Sequence, residues 1–405
     1  MAEIVEREGW RVRLRDVVPA QEVEAAYRSL LSEYKKKVRV PGFRPGRVPD
    51  RVLEARLGRD ALLAEVRESL IERRLPQAIK ELGLDPVAVR KVEGEAALGQ
   101  DFAFEAEIEN YPEVELPDWK HFTIEVPEPE VSDEEVAAVL ADLQRRYAEV
   151  SAKEGPAEEG DLVIVVTEEG SEIPIELARA FEAIKAALLG KAAGEAVEIP
   201  LLSEEGEPTG KTAQATVKEV KAIQLPALDD EFAKTLGYET LAEAREKIKE
   251  ELLRRAQAEA WEQKKDLLLE RLAAELKAEL PPSLVEAEER AIWGEIAEDL
   301  AKKGVPLEDY LKSLEPEKFE ELKSDVKKSA ERRVRRGLAL EKLTEELGTK
   351  LEEDEWKAHL AELARAYNMK PAEFERALGE DALRRLYLRR LHAKALDQAL
   401  KTLVA

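Results

Sequence analysis

Two rhythms of apolar and polar residues alternate along the first 112 positions. In "GWRVRLRDV" every second residue is apolar, the pattern of a half-exposed strand, and "DFAFEAEIEN" at 101–110 repeats it. Between these strands the period lengthens. Val23, Tyr27, Leu30, Leu31 and Tyr34 in "PAQEVEAAYRSLLSEYKKKV" share one helical face, and Pro41-Gly42 ends it. A second helix is predicted from near Pro49, and after Gly58 a third runs to about Leu82. Residues 1–112 thus predict a small α+β domain in which the segment "VPGFRPGRVP" (40–49) caps a helical hairpin.

Farther on, "YPEVELPDW" and "VPEPEVS" are punctuated by proline and read as a linker. They lead to a helix in which Ser132 and Glu135 form a capping box, so 113–150 is expected to pack with the C-terminal part. Residues 151–224 predict a second α+β domain. "DLVIVVT", "AVEIPLL" and "TAQATVKEVKAI" read as strands, and "IELARAFEAIKAALLG" as a helix with Leu177, Phe181, Ile184 and Leu188 on a core face. From 225 to 405 nearly everything is helical: 240–279, 283–303, 316–347, 352–367 and 379–402, with breaks at Pro281-Pro282, Gly304-Val305-Pro306, Pro316 and Pro371. A helix of roughly 40 residues would extend roughly 60 Å, so it must project as an arm or pack against partners. Its leucines hold no strict seven-residue register, which favours antiparallel packing over a two-chain coiled coil.

Composition narrows the chemistry. A net charge of -24 argues against general affinity for nucleic acid or anionic membranes. The absence of cysteine removes disulfides, thiolate zinc sites and cysteine nucleophiles, and suits a reducing, cytoplasmic setting. Histidine occurs only at 121, 359 and 392, too scattered for a metal site, and no Gly-x-x-x-x-Gly-Lys-Ser/Thr phosphate loop occurs. Neither metal nor cofactor is expected. The N-terminus has charges every few residues, unlike a secretory signal or a membrane span.

The positive charge is concentrated in one place. Residues 1–112 hold 20 Lys+Arg and 21 Asp+Glu, so almost all of the net charge belongs to the remainder. Inside that near-neutral domain, 35–51 carry Lys35, Lys36, Lys37, Arg39, Arg44, Arg47 and Arg51 against Asp50 alone. A solvated helix end would explain "KKKVR", whose cations complement the helix dipole. It would not explain Phe43 on a loop tip stiffened by Pro41, Pro45 and Pro49. Together they indicate docking on a nucleic-acid-containing surface.

"GFRPGRVP" resembles the ribosome-docking motif of the trigger factor family, Gly-Phe-Arg-x-Gly-Lys-x-Pro. Gly42, Phe43, Arg44, Gly46 and Pro49 match it, and Arg47 replaces the lysine with its charge kept. "YPEVEL" and "LPALDDEFAKTLGYETLAEAREKI" extend the likeness in the same order along the chain. The resemblance implies a multidomain α+β protein. Residues 1–112 would bind the ribosome, 151–224 would be an inserted peptidyl-prolyl isomerase domain of the FK506-binding type, and 225–405 would be an extended helical body with arms. It implies an ATP-independent chaperone that meets nascent chains at the tunnel exit of the large ribosomal subunit and keeps them open for folding or export.

The docking residues would be Gly42, Phe43, Arg44, Pro45, Gly46, Arg47, Val48 and Pro49, with Lys35, Lys36 and Lys37 steering toward rRNA and ribosomal protein. Expected partners are the ribosome, nascent and unfolded polypeptides including basic ribosomal proteins, and a second copy in a weak homodimer off the ribosome. No membrane partner is expected.

The insert departs from the family pattern. Isomerases of this fold hold proline in a dry pocket walled by aromatic rings. Between Ala148 and Glu231 the chain has one aromatic residue, Phe181, and "LARAFEAI" stands where the family has an "IPGFEDGI"-like turn. "GKAAGEAVEIPL" keeps the following Gly-x-x-x-Gly-Glu stretch. The fold is expected to persist without most of its pocket, giving weak or no isomerase activity. An active isomerase with an accessory chaperone body, or a passive helical scaffold, are the other readings the residues leave open.

Overall fold

Alternating burial along β2 (Arg11–Val18) shows how the N-terminal sheet forms, since Val12, Leu14, Asp16 and Val18 all face inward. The computed structural model describes residues 2–41, 43–44, 46–203 and 208–404, the side chains of Pro208 and Val404 excepted. It divides into two compact units, one running to Glu125 and resuming at Gln263, the other spanning Val126–Glu262.

In the first unit, β1 (Glu3–Glu8) pairs with β2. After β2 come α1 (Ala20–Lys37), α2 (Asp50–Leu57), α3 (Arg59–Glu81), β3 (Pro86–Glu93) and β4 (Phe102–Asn110). The sheet is antiparallel with strand order β1-β2-β4-β3. Phe102, Phe104, Ala106 and Ile108 of β4 join the inward residues of β2, and α1 and α3 cover them with Val23, Tyr27, Leu31, Leu62, Val66 and Leu70. Asp16 is fully buried, and Arg74 of α3 meets it at 2.8 Å, tying helix to sheet through an ion pair. The two alternating strands and the first helix fall where periodicity predicts them, and the second and third helices where Pro49 and Gly58 place them. β1 and β3 are additions to the two-strand expectation. Every residue of β1 is exposed, and β3 has irregular register, so neither shows a clean period of two.

The second unit begins with α4 (Asp133–Arg146), whose Ser132–Glu135 capping box is present in full. α4 buries Val136 and Leu140 against Ile248. Next come β5 (Glu149–Ala152), β6 (Leu162–Thr167), β7 (Glu172–Glu176), α5 (Glu182–Leu188), β8 (Ala196–Leu202), β9 (Pro208–Gln224) and α6 (Asp230–Thr235). The strands form one antiparallel sheet in the order β5-β9-β6-β7, with β8 also on β9. The expected helix over "IELARAFEAIKAALLG" is corrected here. Ile173 and Ile175 pair with Val165 and Val163 of β6, and only 182–188 is α-helical. Phe181 is likewise not core: it stands at the N-cap of α5 and is 57% exposed, whereas Leu177 and Leu188 are fully buried.

The division between the units falls within α7 (Leu241–Glu275), a helix of 35 residues and about 52 Å at 1.5 Å per residue. Beyond it lie α8 (Pro282–Lys302), α9 (Leu307–Ser313), α10 (Pro316–Glu346), α11 (Glu353–Ala366) and α12 (Pro371–Val404). Val326, Ala330, Val334, Leu338 and Leu343 form the buried stripe of α10, and Arg333 forks onto Glu295 of α8 with two 2.7 Å hydrogen bonds. The break between α11 and α12 falls just before Pro371, which opens α12 because its fixed φ suits a first turn; the helix expected from 379 thus begins at 371 and is bent at Gly379, with φ 74° and ψ 168°. The break at 304–306 falls where it is expected, and the short helix α9 follows it in a stretch for which no element is predicted. No helix among the described residues is long and apolar enough to cross a membrane.

Candidate functional site: the loop between α1 and α2

Two valines seat the loop that carries the basic motif. Val40 and Val48, on either side of its tip, are 8% and 2% exposed and belong to the N-terminal core together with Leu31 and Leu53. The residues described between them, Pro41, Phe43, Arg44, Gly46 and Arg47, are all exposed. Backbone bonds shape the tip. The N–H of Phe43 donates to the Val40 carbonyl at 3.1 Å, that of Arg47 to Arg44 at 2.9 Å, and that of Gly46 to Lys35 at 2.8 Å, closing the loop onto the last turn of α1. Gly46 makes that closure in the left-handed region, at φ 83°.

Two tyrosines hold the helices beneath. Tyr27 donates to Glu54 of α2 at 3.0 Å, and Tyr34 to Glu65 of α3 at 2.7 Å. Burial, followed by the Glu54 contact, pushes the Tyr27 phenol up to about 12, and the hydrogen bond to Glu65 raises Tyr34. Both remain neutral donors throughout the physiological range. The α1 C-terminus and the α2 N-terminus are therefore fixed relative to α3, and the loop is presented from a firm base.

The predicted docking residues separate into groups. Phe43 is 42% exposed, a large apolar ring offered to solvent. Arg44 and Arg47, with neighbouring Arg39, are exposed and have no ion-pair partner among the described residues. Lys36 is exposed, Lys37 pairs loosely with Glu33 at 3.4 Å, and Lys35 is held by Asp50 at 2.5 Å with its side chain only 29% exposed. Val48 is buried, so it anchors the loop, and Pro49 is the N-cap of α2. Gly42 and Pro45 lie outside the described residues. The seating valines escaped the sequence pattern, because two single valines flanking a proline-rich turn form no period.

In the second unit the buried cluster under the sheet consists of Ala157, Val163, Val165, Leu177, Leu188, Val197, Ala215, Val217 and Val220. It is aliphatic throughout. Asp161 is buried beside it, accepting from Lys153 Nζ at 2.7 Å and from the Glu158 N–H at 2.8 Å, which pins a turn. In the helical part of the first unit, Leu267, Val305, Tyr367 and Leu388 are exposed apolar side chains. Leu267, with Ile124 and Ala274, lines an open cavity of about 460 Å³. No group of three or more His, Cys, Asp or Glu able to hold a metal ion occurs among the described residues.

Comparison with known proteins accounts for the whole chain. Residues 1–143 match the family model described as bacterial trigger factor protein (TF), and 240–401 the model for its C-terminus. A trigger factor of Thermus thermophilus is 47% identical over 404 residues, covering all of both chains. The chain belongs to the trigger factor family. The Deinococcus radiodurans trigger factor is 36% identical over all of this chain and 89% of its own. A solved structure of the trigger factor chaperone, described for promiscuous substrate recognition in folding and assembly, has a TM-score of 0.68 at 27% identity, covering 99% of each chain. The mixed fold, with an N-terminal sheet domain, a central antiparallel sheet and a helical C-terminal part, is that of a trigger factor chaperone.

Proposed function

We propose that the chain acts without nucleotide as a ribosome-docking chaperone for nascent and unfolded polypeptides. Residues 1–112 dock, 151–224 form a reduced isomerase-like head, and 113–150 with 225–405 hold clients. One observation carries the docking assignment: a core-seated loop whose tip offers Phe43 with the exposed guanidinium groups of Arg44 and Arg47, near Arg39, none of which has an ion-pair partner among the described residues. Such groups pair bidentately with phosphate or carboxylate, and a ring on a fixed turn fills an apolar groove at little entropic cost. Lys36 and Lys37 add steering, while Lys35 serves mainly to hold Asp50.

Sedimentation with purified 70S ribosomes tests this assignment. The variant F43A/R44A/R47A is expected to lose cosedimentation at moderate salt while still suppressing aggregation of an unfolded client. Cosedimentation equal to that of the parent would remove the docking role.

The head is proposed to have weak isomerase activity or none. An aliphatic core and an exposed Phe181 supply no dry aromatic wall for a twisting X-Pro amide, whose uncatalysed barrier is about 20 kcal/mol. In a proline-limited refolding assay the full chain should leave the slow phase nearly unchanged, and a large acceleration that Phe181→Ala leaves intact would place a pocket elsewhere. The acidic remainder of the chain favours basic clients such as unassembled ribosomal proteins.

A further inference from the structure

α12 carries a second cationic stretch, which ribosome docking leaves unused. Residues 383–396 hold Arg384, Arg385, Arg389, Arg390, His392 and Lys394 and not one Asp or Glu, in a chain of net charge -24. Lys394 is engaged, donating to Glu355 and, at 2.9 Å, to the Lys350 carbonyl. The four arginines are exposed, and none has a hydrogen-bond or ion-pair partner among the described residues. Arginines that serve helix packing look different: Arg332, Arg333 and Arg336 of α10 are each bound to a carboxylate of a neighbouring helix.

Geometry sorts the stretch into two faces. Leu383 and Leu386 pack into the small core shared with α11, and the Tyr387 ring meets Trp356 edge-on at 5.4 Å between centroids. At 3.6 residues per turn, Arg384, Leu388, Arg385 and Arg389 then fall within one sector of about 140°. Leu388 is 38% exposed amid the three guanidinium groups.

A cationic face with an apolar side chain at its centre suits a particular partner. A phosphate backbone has no use for Leu388, and a polyanion following the helix toward its N-terminal end would run onto Glu380 and Asp381. A short peptide crossing the helix meets neither. Acidic unfolded segments are also the ones that the rest of this negative chain repels, so capturing them requires a local cationic site. We infer that Arg384, Arg385, Arg389 and Leu388 form a binding site for acidic, apolar-containing segments of unfolded polypeptide. This deepens the client-holding function proposed above and rests on it.

Fluorescence anisotropy on the full chain tests the site, using a labelled probe of about twelve residues that alternates Asp or Glu with Leu or Phe. In about 50 mM salt, where exposed charges are weakly screened, the variant R384Q/R385Q/R389Q should bind the probe about tenfold more weakly. The charge-keeping R384K/R385K/R389K should retain most of the affinity. A probe with Lys in place of every acid should bind both variants as it binds the parent, and circular dichroism checks that the fold is kept. Equal binding of the acidic probe by parent and glutamine variant overturns the site, as does failure of the parent to bind it. Tighter binding of single-stranded RNA of matched length, displacing the probe, also overturns it. Aggregation suppression by the parent chain separates the two levels: its failure removes client holding altogether, whereas its success beside an unaffected acidic probe removes only the α12 site.

Discussion

Tyr27 ties α1 to α2 through Glu54, and its displaced ionisation makes that tie measurable. The unfolded phenol titrates near 10, while burial and the adjacent carboxylate push the folded one up to about 12. The folded state therefore holds the proton longer than the unfolded state. The stabilisation is complete below pH 10 and is lost as pH rises from 10 toward 12. Tyr34, raised by Glu65, acts in the same direction. Denaturant melts should show Tyr27→Phe costing about 1 kcal/mol at neutral pH yet falling less steeply than the parent above pH 10. Parallel curves in the two proteins would remove Tyr27 from this role. Gly46 permits a cleaner test, since an added Cβ would meet nothing within 4 Å and any cost must come from its φ of 83°. Gly46→Ala should lose about 1 kcal/mol and Gly46→Asn distinctly less, because asparagine tolerates the left-handed region. A larger loss for asparagine would mean that the loop closes differently.

Elements were legible in the sequence wherever a single face is buried. β2, β4 and the helices α1 to α3 each bury one face, so their periods of two or about 3.6 are written in the residues. β1 is exposed on both faces and has no period to read. Around β7 two patterns run together, with Ile173, Ile175 and Leu177 two apart and then Ile184 and Leu188 four apart. Pairing with β6, which no local window contains, decides where strand gives way to helix. The candidate site divides in the same manner: exposure of Phe43 follows from its proline and glycine neighbours, whereas the seating by Val40 and Val48 depends on a core assembled from distant residues. Gly379 offers the corresponding test on α12. Its φ of 74° with ψ 168° is a region almost reserved for glycine, so Gly379→Ala must either strain that bend or straighten it into continuous helix. The expected result is a loss of about 1–3 kcal/mol in thermal or denaturant unfolding. An unchanged or raised stability with greater helicity would show that the bend carries no favourable contacts.

Charge acts at the scale of the whole molecule. The first 112 residues are nearly neutral overall, with a local excess of cations around the loop between α1 and α2, and nearly all of the net -24 resides in the remainder. A polyanionic ribosome should therefore attract the loop and repel the rest, and the two forces differ in range. The proposed loop contacts would be close charge-assisted pairs, whereas repulsion of the remainder would be summed over many exposed carboxylates at longer distances. At about 0.01 M salt the Debye length is roughly 30 Å and the repulsion is felt almost in full; at about 0.15 M it shrinks to roughly 8 Å and mainly the close pairs survive. At still higher salt these pairs weaken as well. Ribosome affinity should consequently pass through a maximum at intermediate ionic strength instead of rising steadily as salt is removed. Equilibrium sedimentation from about 10 to 500 mM monovalent salt at fixed magnesium would trace this curve. Neutralising part of the acidic remainder, for example by Glu→Gln at exposed helix positions 250, 251 and 259, should raise affinity at low salt and leave the high-salt limb unchanged. A monotonic rise toward low salt in the parent would mean that the acidic remainder lies beyond the reach of ribosomal charge, and that the loop alone sets the electrostatics of docking.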